Sequence, residues 1–78
     1  MAKTVKKNYN IEVGAVKIIE VIGISNKSFD DAVAQAVKKA SESIKGITGV
    51  EVIKYGAKVN DGNIVQFKAN VKLAFTVE

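Results

Sequence analysis

Residues 64–77 read IVQFKANVKLAFTV, and in this stretch apolar and mostly polar side chains alternate without a break. The apolar side chains occupy the odd-numbered positions: Val65, Phe67, Ala69, Val71, Leu73, Phe75 and Val77. Because successive side chains of a strand point to opposite faces, the pattern predicts a long antiparallel strand with one apolar face. The preceding NDGN at 60–63 predicts a tight hairpin turn, since Asn, Asp and Gly accept positive φ. This turn would join the strand to another predicted strand, 50–59.

A helix is predicted over residues 29–45. Apolar residues recur there at the three-and-four spacing of one helical face: Phe29, Ala32, Val33, Ala36, Val37, Ala40 and Ile44. Ser28 is a good N-cap, and Asp31 three residues later forms a capping-box-like arrangement with it. Gly46 is expected to stop the helix. Before the helix, the β-branched run VKIIEVIGI at 16–24 predicts the first strand.

These elements predict an α+β fold of order β-α-β-β, with a three-stranded antiparallel sheet around one helix. The helix is expected to pack on the odd-numbered face of strand 64–77, which would bury Phe75. The first strand carries apolar residues at both odd and even positions, and one helix cannot cover both faces. The remaining apolar surface and the open sheet edges therefore predict an oligomer.

Composition limits the class of protein. The chain has 78 residues, a net charge of +4, and neither cysteine nor histidine, which excludes disulfides, thiolate sites and imidazole catalysis. We divide it into a basic extension, 1–15, and a domain, 16–78. Neither a leader-like nor a membrane-spanning apolar run is present, so no membrane partner and a cytoplasmic location are expected. Arginine is absent, and without a basic stripe nucleic acid is not an expected partner.

Few residues suggest chemistry, which favours a protein without enzymatic activity. Glu20 and Glu51 could face each other on neighbouring strands and bind a cation, or could be ordinary surface charges. Lys68 and Lys72, on one strand face, could meet an anionic ligand or balance acids in an interface. Tyr55 could stack on a flat ring, although packing is the commoner role of a tyrosine on a half-buried strand.

The chain resembles the dodecin family. The resemblance covers about residues 16–78 and is most specific in VIGIS at 21–25, SFDDAV at 28–33 and VKLAF at 71–75. It implies a bent sheet wrapped around one helix and a hollow homododecamer that stores or sequesters flavin (FMN or riboflavin) without turnover. It also implies flavin rings stacked between tryptophans that begin the second strand, and a glutamine on the third strand that bonds the ring edge.

This chain departs from that pattern at the implied binding positions. The tryptophan position falls on Gly49 and the glutamine position on Lys68, and the two arginine positions that hold nucleotide phosphates in bacterial members fall on Gly56 and Thr76. The resemblance therefore predicts a flavin shell with weakened affinity. The alternative is a shell that binds no flavin and has a structural or ion-binding role through charges such as Glu20, Glu51 and Lys72.

Overall fold

A three-stranded antiparallel sheet and one helix form the structure, a computed structural model that describes residues 13–77. The elements are β1 (Val16–Ser25), α1 (Phe29–Ser41), β2 (Ile47–Asn60) and β3 (Asn63–Thr76). β3 lies in the centre of the sheet, antiparallel to both neighbours, in the order β1-β3-β2. The predicted β-α-β-β architecture is confirmed. The predicted extension lies outside the described residues over 1–12, and its division from the domain stays a prediction.

The hairpin between β2 and β3 forms as the sequence indicates. Asp61 and Gly62 both adopt positive φ, 57° and 77°, which is the conformation of the two-residue turns that match the twist of paired strands. The pairing continues from Asn60–Asn63 along the hairpin, and β2 begins at Ile47, three residues before the predicted start. The turn thus sets the register of the two longest strands.

Helix α1 begins where predicted but ends early. The Ser28 hydroxyl accepts a hydrogen bond from the backbone N–H of Asp31 at 2.9 Å and caps the helix. The expected end at residue 45 is wrong, because α1 ends at Ser41, where the backbone N–H of Glu42 bonds the carbonyl of Lys39 in a tighter turn. Gly46, at φ 81°, redirects the chain into β2 instead of stopping the helix. Within residues 13–77 no helix is long and apolar enough to cross a membrane.

The core lies between α1 and the odd-numbered face of β3, as predicted. Its buried apolar members are Ala32, Ala36, Ala69, Val71 and Leu73. Phe75 is less buried than predicted, since its side chain stays partly exposed in the single chain. A helix of 13 residues is about 20 Å long, whereas a strand of 14 residues spans about 48 Å. The helix therefore covers only the middle of β3.

Gly23 of β1 sets how closely the helix approaches the sheet. A Cβ atom at Gly23 would lie 2.0 Å from the backbone oxygen of Ala32 and 2.8 Å from the Cβ of Ala36. Because the nearest obstacle is helix backbone, it cannot move aside as the end of a flexible side chain would. The small side chains of the helix and the missing one at Gly23 together allow this close contact.

The opposite side of the sheet, which we call the open face, is not covered by the helix. Directly paired residues share a face of the sheet, so the register assigns to it the even-numbered residues of β1 and β3 and, on β2, Gly49, Glu51, Lys54, Gly56 and Lys58. Apolar side chains of β1 are half-exposed on this face: Val16, Ile18, Ile22 and Ile24. The predicted excess of apolar surface on the first strand is thereby confirmed.

We expect Gly23→Ala to destabilise the fold by about 3 kcal/mol or more, since overpacking of this kind commonly costs about 1–3 kcal/mol and here the clash is with backbone. Gly56→Ala is the matched control, because a Cβ atom there meets no atom within 4 Å. Thermal and urea unfolding of the two variants would measure the difference. Equal stabilities would show that the helix does not rest on Gly23.

Candidate functional site

The four positions that the resemblance singles out form two separate groups along the hairpin. Gly49 lies opposite Ala74, and Thr76 is two residues further along β3. Nearer the hairpin turn, Gly56 is the direct cross-strand partner of Lys68. Ala74 and Lys68 are six residues apart, or about 20 Å along the strand. A single planar ring therefore cannot touch Gly49 and Lys68 of the same chain, and a site containing both needs a second copy.

Gly49 has no side chain and therefore places no aromatic ring on the open face. A Cβ atom at Gly49 would lie 3.7 Å from the Cβ of Ala74, an ordinary contact, so the backbone there accepts a Cβ atom without strain. Across residues 13–77, none of the open-face residues that the register pairs is aromatic. The flat surface on which a flavin would stack is missing from this part of the chain.

Tyr55 does not replace that surface. β2 has a bulge between Val52 and Lys54, so Tyr55 pairs with Ala69 and lies on the helix side of the sheet. There its ring packs 4.9 Å from the ring of Phe29, which in turn packs 4.9 Å from Phe67. Gly49 and Tyr55 are six residues apart but lie on opposite faces, because one bulge residue reverses the alternation of β2. The packing role is confirmed.

Glu20 and Glu51 lie in one row of the sheet but are not neighbours. The expectation of adjacent strands is wrong, because central β3 lies between β1 and β2 and places Lys72 opposite both carboxylates. The two acidic residues are therefore about 10 Å apart, twice the strand spacing. In the described part of the chain, no three acidic, histidine or cysteine side chains gather as metal ligands. The row Glu20–Lys72–Glu51 therefore carries two carboxylates and one ammonium group, and within one chain it provides too few ligands for a metal ion.

A second polar cluster joins the end of β1 to the start of α1. Ser25 is 8% exposed, and its hydroxyl donates to the Asp31 carboxylate at 2.6 Å. The same oxygen accepts the backbone N–H of Lys27 at 2.9 Å and that of Ser28 at 3.4 Å. The Asp31 carboxylate thus bonds Ser25 and not the Ser28 N–H, which corrects the predicted capping box. Ser25 lies two residues before Lys27, the spacing at which a serine hydroxyl forms a turn with the backbone, so the sequence contained a local signal for this turn.

The hydrogen bond from Ser25 lowers the pKa of the Asp31 carboxyl below its ordinary value of 3.8. A hydrogen bond from Gln35 and the positive charge of Lys27 act in the same direction, against the partial desolvation of the carboxyl. The cluster fixes the loop that leads into the helix. Its donors are already used within the chain, so its evident role is structural.

Comparison with known proteins identifies the family. The family model named Dodecin matches residues 15–78. The calcium dodecin of Mycobacterium tuberculosis is 29% identical over 59 residues, which are 76% of this chain and 83% of that protein. The dodecin structure from Streptomyces coelicolor has a TM-score of 0.83 at 28% identity and covers 87% of this chain and 97% of its own. The dodecin from Streptomyces davaonensis has a TM-score of 0.79 at 22% identity, with 82% and 94% covered.

The chain belongs to the dodecin family. It is therefore a small, dodecin-like ligand-binding protein, and its family membership supports self-association. The likeness to the Streptomyces davaonensis structure adds agreement of fold alone, because the sequence identity is 22%.

Ionised Asp31 is expected to stabilise the fold above about pH 4, near the unfolded-state pKa of about 3.9. Because its folded-state pKa is lower, this contribution should disappear as the pH falls through that lower value. Carboxyl NMR titration should show a higher Asp31 pKa in Ser25→Ala. Ser28→Ala, which removes a helix cap but no bond to this carboxylate, should change the pKa less. An unchanged pKa in Ser25→Ala would contradict the assignment.

Proposed function

We propose that the protein assembles into a hollow homododecamer without enzymatic activity, in which flavin binds weakly or not at all. The observation that carries this proposal is the open space at Gly49, on a sheet face that has no aromatic side chain among the described residues. The fold of a flavin-binding family is thus combined with a surface that has lost the stacking residue.

The exposed surface supports the assembly. Ile22 is 61% exposed and Ile18 53% exposed on the open face. β1 and β2 are edge strands of the sheet, and unpaired edges favour pairing with another chain. Burying these surfaces between copies would supply the stability that so small a core lacks.

The absence of a stacking aromatic side chain determines how much flavin affinity we expect the protein to lose. Stacking of a base on an aromatic side chain contributes about 1–3 kcal/mol. A flavin held between two such residues would lose about 2–6 kcal/mol, equivalent to roughly one and a half to four decades of affinity. Lys68 adds further mismatch, because an ammonium group only donates hydrogen bonds, whereas a glutamine carboxamide both donates and accepts.

Light scattering combined with riboflavin fluorescence titration tests the proposal. We expect a mass of about twelve chains and no quenching at micromolar riboflavin. Gly49→Trp with Lys68→Gln should keep the mass and introduce quenching, since the backbone at Gly49 accepts a Cβ atom; Lys68→Gln alone is the matched control. A monomer at micromolar concentration would contradict the assembly. Sub-micromolar riboflavin binding by the unchanged chain would contradict the loss of the flavin site.

Calcium is a second candidate ligand, favoured by the relative whose name is calcium dodecin. Calcium takes about 6–8 oxygen ligands, and within residues 13–77 of one chain no three acidic side chains lie together as a metal site. A calcium site would therefore need oxygens from several copies. Glu20 and Glu51 are the acidic residues of the open face that assembly could bring together.

If calcium binds between copies, it should raise the melting temperature of the assembled protein, by an amount equivalent to about 2.7 kcal/mol at a hundred times the Kd. Glu20→Gln with Glu51→Gln should abolish the rise. Glu42→Gln with Asp61→Asn makes the same change of net charge on the helix end and hairpin tip and serves as control. The calcium proposal fails if EDTA-treated protein shows no calcium-dependent shift, or if both double variants lose it equally.

A further inference from the structure

The outer edge of β1 presents backbone groups that no strand of residues 13–77 pairs with. The Ala15 carbonyl accepts a hydrogen bond from the backbone N–H of Val77 at 3.2 Å, so it points towards β3. In a trans peptide the N–H points opposite to the C=O, and the N–H of Val16 therefore points away from β3. Because these directions alternate along a strand, the even-numbered residues of β1 turn their backbone groups to the free edge: Val16, Ile18, Glu20 and Ile22.

The side chains of the same four residues lie on the open face. Three of them are apolar, and each of the three is more than half exposed: Val16, Ile18 and Ile22. Val13, where the described part of the chain begins, is 90% exposed. An edge that combines free backbone groups with bare apolar side chains suits one further strand that has a single apolar face.

The chain immediately before β1 has the pattern of such a strand. In residues 7–13, KNYNIEV, which we call the N-terminal segment, polar and apolar side chains alternate from position 8 onwards. The apolar ones are odd-numbered: Tyr9, Ile11 and Val13. Only Gly14 and Ala15 separate this segment from β1, and Gly14 has φ 147°, which glycine adopts far more readily than other residues. A two-residue loop that begins with glycine is a common hairpin connection.

We propose that the N-terminal segment turns back at residues 14–15 and pairs antiparallel with the free edge of β1, as a fourth strand of the sheet. In a hairpin with a two-residue loop, the residues on either side of the loop exchange both backbone hydrogen bonds. Here these residues are Val13 and Val16, and the outward N–H of Val16 has the direction that the exchange requires. The Ala15 carbonyl fixes that direction independently of the pattern in the segment.

The register of this hairpin matches side chains on both faces of the sheet. Ile11 lies opposite Ile18 on the open face, where the two apolar side chains cover each other. On the helix side Glu12 lies opposite Lys17, and opposite charges in directly paired positions attract. Within the described chain the cross-strand partner of Lys17 is the apolar Phe75, so the segment supplies the carboxylate that β3 does not.

The chain's own segment has an advantage over a second copy at this edge. It is joined to β1 by two residues, so closing the loop costs little entropy and the local concentration of the segment at the edge is high. Lys6 and Lys7, at its far end, oppose the addition of yet another strand. The edge of β2 and the rest of the open face stay available for contacts between copies, so the pairing neither requires nor excludes the assembly proposed above.

Hydrogen exchange of the purified protein, resolved to single amides by mass spectrometry, tests the pairing. We expect the N–H groups of Ile18 and Glu20 to exchange at least tenfold more slowly in the unchanged protein than in Ile11→Pro, since proline removes the N–H that bonds the Ile18 carbonyl. Asn10→Pro is the matched control, because the N–H of Asn10 points away from β1, where an edge strand tolerates proline. This control should keep the exchange rates within about threefold.

A disulfide trap distinguishes the chain's own segment from a neighbouring copy, and the sequence has no cysteine of its own to interfere. Ile11→Cys with Ile18→Cys should close within one chain under mild oxidation, because directly paired residues of this kind have Cα atoms about 5.5 Å apart. Asn10→Cys with Ile18→Cys places the two thiols on opposite faces and should not close. Denaturing electrophoresis without reductant separates one internally linked chain from two linked chains.

Three results would overturn the proposal. In the first, the Ile18 and Glu20 amides are unprotected in the unchanged protein, or their protection is the same in Ile11→Pro. In the second, both proline variants lose protection equally, which would exclude this register. In the third, the cysteine pair at 11 and 18 links two chains, which would assign the edge to a second copy. Light scattering of the same variants reports the assembly separately, so a failure of the pairing and a failure of the assembly are distinguishable.

Discussion

The close contact between Gly23 of β1 and the helix fixes the distance between the two layers of the fold. It brings the backbone of α1 against the sheet near Ala32 and Ala36, so the alanines of the helix and the central residues of β3 form one dry layer. A side chain at position 23 would push the helix away and leave Val71 and Leu73 without cover. The contact also fixes which face of the sheet the helix occupies, and therefore which face remains free.

The open face carries the features that the sequence comparison singles out, both those that resemble the family and those that depart from it. Its apolar residues on β1 are suited to burial between copies, since no element of residues 13–77 covers them. Its polar residues on β2 and β3 are suited to ligands and counter-charges. In this chain the polar part contains Gly49, where the resemblance implies a stacking tryptophan, and lysines near the hairpin tip. The chemistry available there is that of charge and hydrogen bonding, without aromatic stacking.

Central placement of β3 explains several features at once. It makes β3 the strand with two partners, so its alternation alone assigns the faces of the whole sheet. It also separates Glu20 from Glu51 and places Lys72 between them. The same arrangement leaves β1 and β2 as edge strands of the sheet. β1 has the most apolar residues on the open face, and as an edge strand its backbone can also pair with another chain.

The order of the elements, the hairpin turn at Asp61–Gly62 and the buried face of β3 could all be predicted from the sequence, because each depends on neighbouring residues through side-chain alternation or local φ preference. The folded chain was needed to establish the strand order, the bulge that moves Tyr55 to the helix side, and the partial exposure of Phe75. These depend on pairings between residues far apart in the chain and on the length of the helix relative to the strands. A pattern of neighbouring residues contains no information about long-range pairing or about the relative lengths of helix and strands. The grouping of lysines around Gly56 therefore became visible only when the strands were paired.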